Sequence, residues 1–390
     1  MQQDVQLLAD QIRSAAQSNS ALPLRIRGGG TKDFLGAALQ GEVLDTRFLG
    51  AALQGEVLDT RGLNQVVAYE PTELVVTVGA GMRLVDLAAL LAEKQQSLPC
   101  DPPRFGEGAT VGGAIASALS GPARASVGAM KDFVLGIKML DASGTELTFG
   151  GQVMKNVAGY DVSRLMVGSW GTLGLLTEVS LKVLPVALAE ANLRLVCSQA
   201  QALDYLNYWG GQPLPLNASV WTADASGAGT LLIRLRGAVA AVDAACQRMA
   251  AYAAGEGVAC APMELSDADA PWTSCREQTH AFFNAPGPDD CLWRLSVAQV
   301  ALPLPLRAAT FVEWHGAQRW VWAPATAAAD VRRVASEAGG HAMLFRTSAT
   351  HGEADRSVGV FHPTDANTAG IAERLRAQLD PAGVFNTARV

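Results

Sequence analysis

Apolar side chains recur at near-helical spacing at the start of the chain: Val5, Leu7, Leu8, Ile12 and Ala15 stand among polar residues and predict an amphipathic helix over 3–17. A short strand, Leu24 to Arg27, then runs straight into Gly28-Gly29-Gly30-Thr31-Lys32. Further on, Glu70-Pro71 reads as a turn, the β-branched run Leu74 to Val78 as a strand, Gly79-Ala80-Gly81 as a bend, and Leu84 to Ala92 as a helix. Asp141-Ala142-Ser143-Gly144 predicts a hairpin turn between strands Phe133 to Leu140 and Thr145 to Phe149. Strand, glycine turn and helix thus alternate on a small scale.

Beyond about residue 190 the pattern lengthens. Alternating strands such as Thr230 to Arg236 follow one another, with alanine-rich helices at Val239 to Ala254 and Ala327 to Ala338. Seven of the eight tryptophans lie between 209 and 322. The order favours an antiparallel sheet backed by helices, and the whole chain reads as α+β. Within FVEWHGAQRWVWA, alternation puts Trp320 and Trp322 on one face of a strand, as core or as a partner surface. A last helix, Ala366 to Leu379, precedes the tail DPAGVFNTARV. The predicted domains are 1–187, 188–366, and a returning segment at 367–390.

One stretch distorts this spacing. Phe34 to Arg47, FLGAALQGEVLDTR, is repeated without a change at Phe48 to Arg61, so 14 of the 390 residues are surplus to a single pass through the fold. The VLDT portion of one copy is expected to pair in a small sheet and the other copy to be looped out, at modest cost in loop entropy.

Composition narrows the partners. The chain carries a net charge of −7 and no Lys/Arg block, so it lacks the footprint of a nucleic-acid binder. No apolar run is long enough to span a bilayer and the N-terminus has no signal-peptide core, which places the protein in the cytoplasm or peripherally on the inner face of the cytoplasmic membrane. The six cysteines are scattered without a CxxC, which argues against a disulfide framework, a metal site or an iron–sulfur cluster.

The chemistry concentrates in glycine. Three glycines after a strand can turn successive backbone N–H groups toward phosphate oxygens, with Thr31 adding a hydroxyl and Arg27 or Lys32 a charge; the alternative is a tight turn. The spacing is neither GxxxxGK[ST] nor GxGxxG. A second series, Thr110, Gly112, Gly113, Gly121, Gly128, Gly159, Gly168, Ser169, Gly171, Thr172 and Gly174, supplies more close-approach positions than turns alone need, which points to a large flat or phosphorylated cofactor.

Four ordered blocks, RIRGGGTK, PPRFGEGATVGGAIASALSGPARASVGAMKDFVLGIKMLDASG, GYDVSRLMVGSWGTLGLLTEVSLKVLP and DPAGVFNTARV, resemble the vanillyl-alcohol-oxidase (PCMH-type) family of FAD-binding flavoproteins, most closely its glycolate-oxidase E subunits. The resemblance implies a two-part flavin domain, an α+β cap and a returning C-terminus. It further implies that Arg27, Gly28, Gly29, Gly30, Thr31 and Lys32 cradle the FAD pyrophosphate. Pro102, Thr110, Gly112, Gly113, Gly121 and Gly128 would line the pyrophosphate and isoalloxazine, and Gly168, Ser169, Gly171, Gly174 and Val179 would continue the wall. Trp170 departs from the pattern and reads as packing. The implied reaction is oxidation of glycolate, a small 2-hydroxy acid, to glyoxylate, with electrons leaving through a second flavin subunit and an iron–sulfur subunit.

All five histidines lie beyond residue 279, so FAD is expected to be noncovalent. Arg124, Arg294, Arg319 and Arg346 are candidates for the substrate carboxylate, with His315 and His341 as candidate bases; the sequence ranks none of them. The chain also lacks the GHxGDGNxH-type run of related 2-hydroxy-acid dehydrogenases, which implies little turnover by this subunit alone. Two alternatives stay open: a non-catalytic flavoprotein subunit that relays electrons or stabilises a complex, and an autonomous FAD-dependent alcohol or hydroxy-acid oxidoreductase.

Overall fold

The computed structural model describes residues 2–17, 23–37, 57–151, 161–223 and 229–385, with backbone alone at 265–269. The chain divides into two compact units, one drawn from 1–119, 129–185 and 363–390, the other from 120–128 and 186–362.

In the first unit, helix α1 (Gln2–Gln17) buries Leu8, Ala9 and Ile12, the stripe its periodicity predicts. Strands β1 (Arg25–Arg27) and β2 (Val57–Asp59) pair in parallel, with Arg25 opposite Val57 and Arg27 opposite Asp59. β2 comes from the second copy of the repeat; the corresponding residues of the first copy, and with them the expectation of a looped-out copy, lie outside the described residues. Strands β3 (Val66–Glu70) and β4 (Val75–Gly79) lead into helix α2 (Leu84–Ala92), strand β5 (Gln96–Ser97) and helix α3 (Val111–Ser117). The one-turn helix α4 (Arg124–Val127) falls in the second unit. The first unit resumes with β6 (Val134–Leu140), β7 (Glu146–Gly150), helix α5 (Val162–Leu165), β8 (Leu175–Lys182) and β9 (Leu184–Pro185).

The described strands of its main sheet run β3-β4-β8-β6-β7, all antiparallel. Leu175 through Leu181 are buried without alternation, because β8 is covered on both faces. The C-terminal segment completes this unit. Leu24 bridges Phe385 in parallel and donates its N–H to the Val384 carbonyl at 2.7 Å, while Val384 and Phe385 pack with Leu8, Ile12, Leu24 and Leu58.

The second unit carries an antiparallel sheet of eight described strands. These are β10 (Ala189–Val196), β11 (Leu216–Ala223), β12 (Gly229–Gly237), β13 (Cys260–Met263), β14 (Asp290–Ser296), β15 (Thr310–Glu313), β16 (Gln318–Pro324) and β17 (His341–Arg346), in the order β13-β10-β12-β11-β15-β16-β14-β17. Helices α6 (Gln199–Gly210), α7 (Val239–Gly255), α8 (Leu265–Glu277) and α9 (Ala328–Glu337) interleave with them. Ser198 starts α6 as a reciprocal capping box with Gln201, so its first turn is specified locally.

One face of this sheet is apolar. Leu193, Leu195, Trp221, Ile233 and Val312 join residues of α6 and α7, and Trp293, Leu295, Val321 and Leu344 join residues of α9. Antiparallel register puts directly opposed side chains on one face, so the other face carries the row Glu313, Gln318, Ser296, His341 and the row Phe311, Trp320, Arg294, Met343. Trp320 and Trp322 share that second face and are buried, Trp320 donating to Glu313 and Trp322 to the Phe282 carbonyl. Helix α10 (Ala366–Leu379) belongs to the first unit; Asp380 ends it by accepting the N–H groups of Val384 and Phe385 at 2.7 and 2.8 Å.

Candidate functional site

The RGGGTK loop leaves β1 and turns back on itself, with Asp33 donating its N–H to the Gly30 carbonyl at 3.1 Å. The loop lies so close to a second backbone that a Cβ on Gly29 would stand 1.6 Å from the Gly108 carbonyl oxygen, and one on Gly28 would stand 2.4 Å from Thr110 Oγ1. At Gly29 the neighbour is backbone and only glycine fits; at Gly28 the Thr110 side chain would have to give way. Asp33 accepts Arg27 Nε at 2.9 Å and the Arg25 guanidinium at 3.0 Å, so Arg27 braces the loop from behind. Lys32 lies over the Phe105 ring, 5.7 Å from its centre. The N–H groups of Gly28, Gly29, Gly30 and Thr31 donate to no acceptor among the described residues. Successive unspent donors in a tight loop form an anion-binding concavity.

This loop forms one wall of a cleft that opens to solvent. Thr110, Gly112, Gly113, Ala116 and Ser117 line it from α3, and Ser169, Trp170, Gly171, Gly174 and Leu176 from the turn leading into β8. Thr110 caps α3 by accepting the Gly113 N–H at 3.2 Å. Trp170 has φ +55 and Gly171 φ +75, so the turn runs left-handed past the cleft, and the Trp170 N–H is tied to the Ala116 carbonyl at 3.0 Å. Ser169 Oγ is buried and has no partner among the described residues. A phosphate-bearing, partly apolar cofactor fits this wall: it would take the four loop N–H groups and offer an acceptor or donor to the orphaned hydroxyl.

Not every glycine of the second series reaches the cleft. Pro102, Gly121, Gly128, Gly168 and Val179 lie outside its wall. Gly121 and Gly128 sit with the second unit, where Trp314 Nε1 donates to the Gly121 carbonyl at 3.0 Å. Val179 is fully buried within β8, and the Gly168 N–H is spent on the Ile115 carbonyl. Asp33, Thr60, Ala80 and Leu176 line the cleft without having been singled out from the sequence as lining residues. Trp170, read there as packing, stands in the wall itself.

The second unit separates the candidate cations. Arg319 lies on the helix-packed face of β16, fully buried; one terminal nitrogen donates to the Ala301 carbonyl at 3.0 Å, Nε and the other terminal nitrogen have no partner among the described residues, and burial pushes its pKa down to about 10. Arg346 donates to Gln278 Oε1 at 2.8 Å. Arg294 stands on the opposite face. Its Nε donates to Gln318 Oε1 at 2.7 Å, and Gln318 Nε2 donates onward to Glu313 at 2.9 Å. The amide thus keeps cation and carboxylate apart. Burial, then the Arg124 charge, push Arg294 down to about 10, with Glu313 opposing, while burial raises Glu313 against the hydrogen bonds from Trp320 and Gln318.

Trp314 gathers this face. The Arg124 guanidinium carbon lies 4.4 Å and that of Arg294 5.1 Å from its ring centre. Trp314 and His315 both have φ +54, and the strained turn is pinned by the His315 N–H donating to Ser219 Oγ at 3.0 Å. The His315 ring bridges Ser126 Oγ at 2.8 Å and Ser219 Oγ at 2.9 Å; burial lowers its pKa to about 4, so it is neutral at pH 7. His341, in the cross-strand row beside Arg294, is lowered by burial first and then by the charges of Arg294 and His362. Among the described residues no group of three His, Cys, Asp or Glu side chains is placed to hold a metal ion.

A family described as an FAD binding domain matches residues 3–150. The glycolate oxidase subunit GlcE of Escherichia coli is 39% identical over 385 residues, covering 99% of this chain and 97% of that one. The glycolate oxidase subunit GlcD of Bacillus subtilis is 35% identical over 123 residues, 32% of this chain and 26% of its own length. A D-lactate dehydrogenase of Anaerostipes hadrus is 39% identical over 124 residues, again 32% of this chain and 26% of its own. Among solved structures, alkyldihydroxyacetonephosphate synthase superposes with a TM-score of 0.67 over 98% of this chain and 75% of its own at 14% identity, a likeness of fold alone. No described helix is long and apolar enough to cross a membrane.

Proposed function

Since the chain belongs to the PCMH-type FAD-binding flavoproteins, in the family of the glycolate oxidase subunit GlcE, we propose that it is the flavin-holding subunit of a multi-subunit 2-hydroxy-acid oxidoreductase acting on glycolate. The observation that carries this reading is the loop at Gly28 to Thr31, whose four N–H groups find no acceptor among the described residues and whose residues line a cleft together with Ser169, its hydroxyl buried without a partner among them. The pyrophosphate of FAD would accept the loop N–H groups, noncovalently, while Ser169 Oγ and the indole of Trp170 meet the rest of the cofactor. Bound flavin supplies hydride-accepting chemistry. The chain's own part is to hold the cofactor, exclude water from it and present the acid.

A second reading, in which the flavin only relays electrons or stabilises a complex, is favoured by the missing GHxGDGNxH run and by His315 being spent on two serines. Anaerobic addition of glycolate to the FAD-loaded chain separates the two. Bleaching of the flavin bands, slow in the chain alone and accelerated by partner subunits, is the expected result. Flavin bands that stay unbleached with every partner present would support the relay reading, and fast multiple turnover by the chain alone would overturn dependence on a complex.

A further inference from the structure

The loop from Gly28 to Thr31 is built around one carboxylate. The turn closed by the Asp33 N–H on the Gly30 carbonyl carries the Asp33 side chain back to β1, where Oδ2 accepts Arg27 Nε at 2.9 Å and Arg25 Nη2 at 3.0 Å. Arg25 and Arg27 alternate along β1, so both side chains leave the same face and converge on that oxygen. The Arg27 guanidinium in turn lies against Gly30, where an added Cβ would collide with Nη2 and Cζ. Gly30 has φ +71, and the Arg27 carbonyl accepts the Thr60 N–H at 3.0 Å, which fixes the strand end from which the loop departs.

Arg27 lines the cleft, and the family resemblance casts it as a cation that grips the pyrophosphate directly. We infer that Arg27 and Asp33 are instead positioning residues. The guanidinium, its Nε spent on Asp33 and its end packed on Gly30, templates the loop whose backbone N–H groups take the phosphate oxygens. With side chains 42% and 32% exposed, the pair contributes little to overall stability; its worth is geometric. The two roles separate by chemistry. A cation gripping phosphate acts through its charge, which lysine keeps, whereas a templating guanidinium acts through its planar fork, which lysine lacks. The inference rests on the reading of the cleft as a dinucleotide site.

The test is equilibrium titration of the full, flavin-free chain with FAD and with ADP at two ionic strengths. Arg27→Lys and Arg27→Gln should each weaken both ligands by about tenfold or more, the equivalent of one loop N–H withdrawn from a charged oxygen, and should agree with each other within about threefold. Asp33→Asn should also weaken binding, although it removes a negative charge from the cleft wall. Combining it with Arg27→Gln should add no more than about twofold to the worse single variant, since both break one arrangement. Salt dependence should be the same in every variant, because no charge in contact with phosphate has been removed. Riboflavin, which lacks the pyrophosphate, should bind every variant as it binds wild type, and Arg333→Gln, exposed on α9, should change nothing. Near-ultraviolet circular dichroism checks that each variant is folded; if Arg27→Gln is not, Arg27→Lys and Asp33→Asn decide. Wild-type affinity in Arg27→Lys, tighter binding by Asp33→Asn, a salt dependence that falls with loss of the arginine, or an equal loss of riboflavin would each overturn the inference. The two readings fail separately. A wild type that binds ADP but not FAD refutes the flavin reading alone, and the same variants read through ADP still decide the role of Arg27. An FAD-binding wild type whose Arg27→Lys chain keeps its affinity refutes the positioning role alone, and a wild type that binds neither ligand overturns both.

Discussion

Replacing Gly29 with alanine adds one methyl group where the loop touches a second backbone. The new Cβ would stand 1.6 Å from the Gly108 carbonyl oxygen, against about 3.4 Å for an unstrained carbon–oxygen contact. One of the two backbone segments must therefore retreat by roughly 1.8 Å, and neither partner is a flexible side chain. A hydrogen bond of about 2.9 Å stretched by that much is lost. If two loop N–H groups lose a charged oxygen, at about 1.5–3 kcal/mol each, the loss is roughly 3 kcal/mol or more, about two orders of magnitude in Kd. The assay is FAD titration followed by flavin fluorescence quenching, with Gly151→Ala as the control, since a Cβ there meets nothing within 4 Å. A folded Gly29→Ala chain that keeps FAD within threefold of wild type would refute the close-packed anion loop. So would an equal loss in Gly151→Ala.

Two further predictions concern stability. His315 is depressed to about 4 by burial, so between its folded and unfolded pKa values the unfolded chain binds the extra proton and stability falls as pH drops; the loss from pH 7 to 5 should be about 2 kcal/mol. Urea unfolding at the two pH values should show it, and His315→Gln should flatten the slope; an unchanged slope would contradict a buried neutral ring. Asp380 accepts two backbone N–H groups of the returning tail, and Asp380→Ala should cost about 2–4 kcal/mol by the same assay. A loss under 0.5 kcal/mol would show that the apolar packing of Val384 and Phe385 holds the tail unaided.

Much of the fold was legible because its signals are local. The apolar spacing at 84–92 and the run from 366 to 379 give helices with those boundaries, and the Asp141 to Gly144 turn joins β6 to β7 as its residues require. The alternation in QRWVWA likewise puts Trp320 and Trp322 on one face. What escaped the sequence depends on partners far along the chain. Ser120 to Gly128 lies amid glycine-dense sequence, yet its partners are Trp314 and His315, nearly two hundred residues away. Composition alone cannot show that pairing. The same holds for the arginines: four were candidates, and only cross-strand register separates Arg294 from Arg319 by sheet face. Asp33 could have been found, since a carboxylate directly after a basic glycine loop is placed to take the guanidinium behind it. Trp170 could not, because its left-handed backbone follows from the turn it occupies.

The central claim is that the Gly28 to Thr31 loop binds a pyrophosphate, and the most direct measurement compares FAD, ADP and riboflavin as ligands of the flavin-free chain by equilibrium titration. FAD should saturate one site per chain, ADP should compete for it, and riboflavin, which lacks the pyrophosphate, should bind at least a hundredfold more weakly than FAD. Riboflavin binding as tightly as FAD, or ADP failing to compete, would contradict the account.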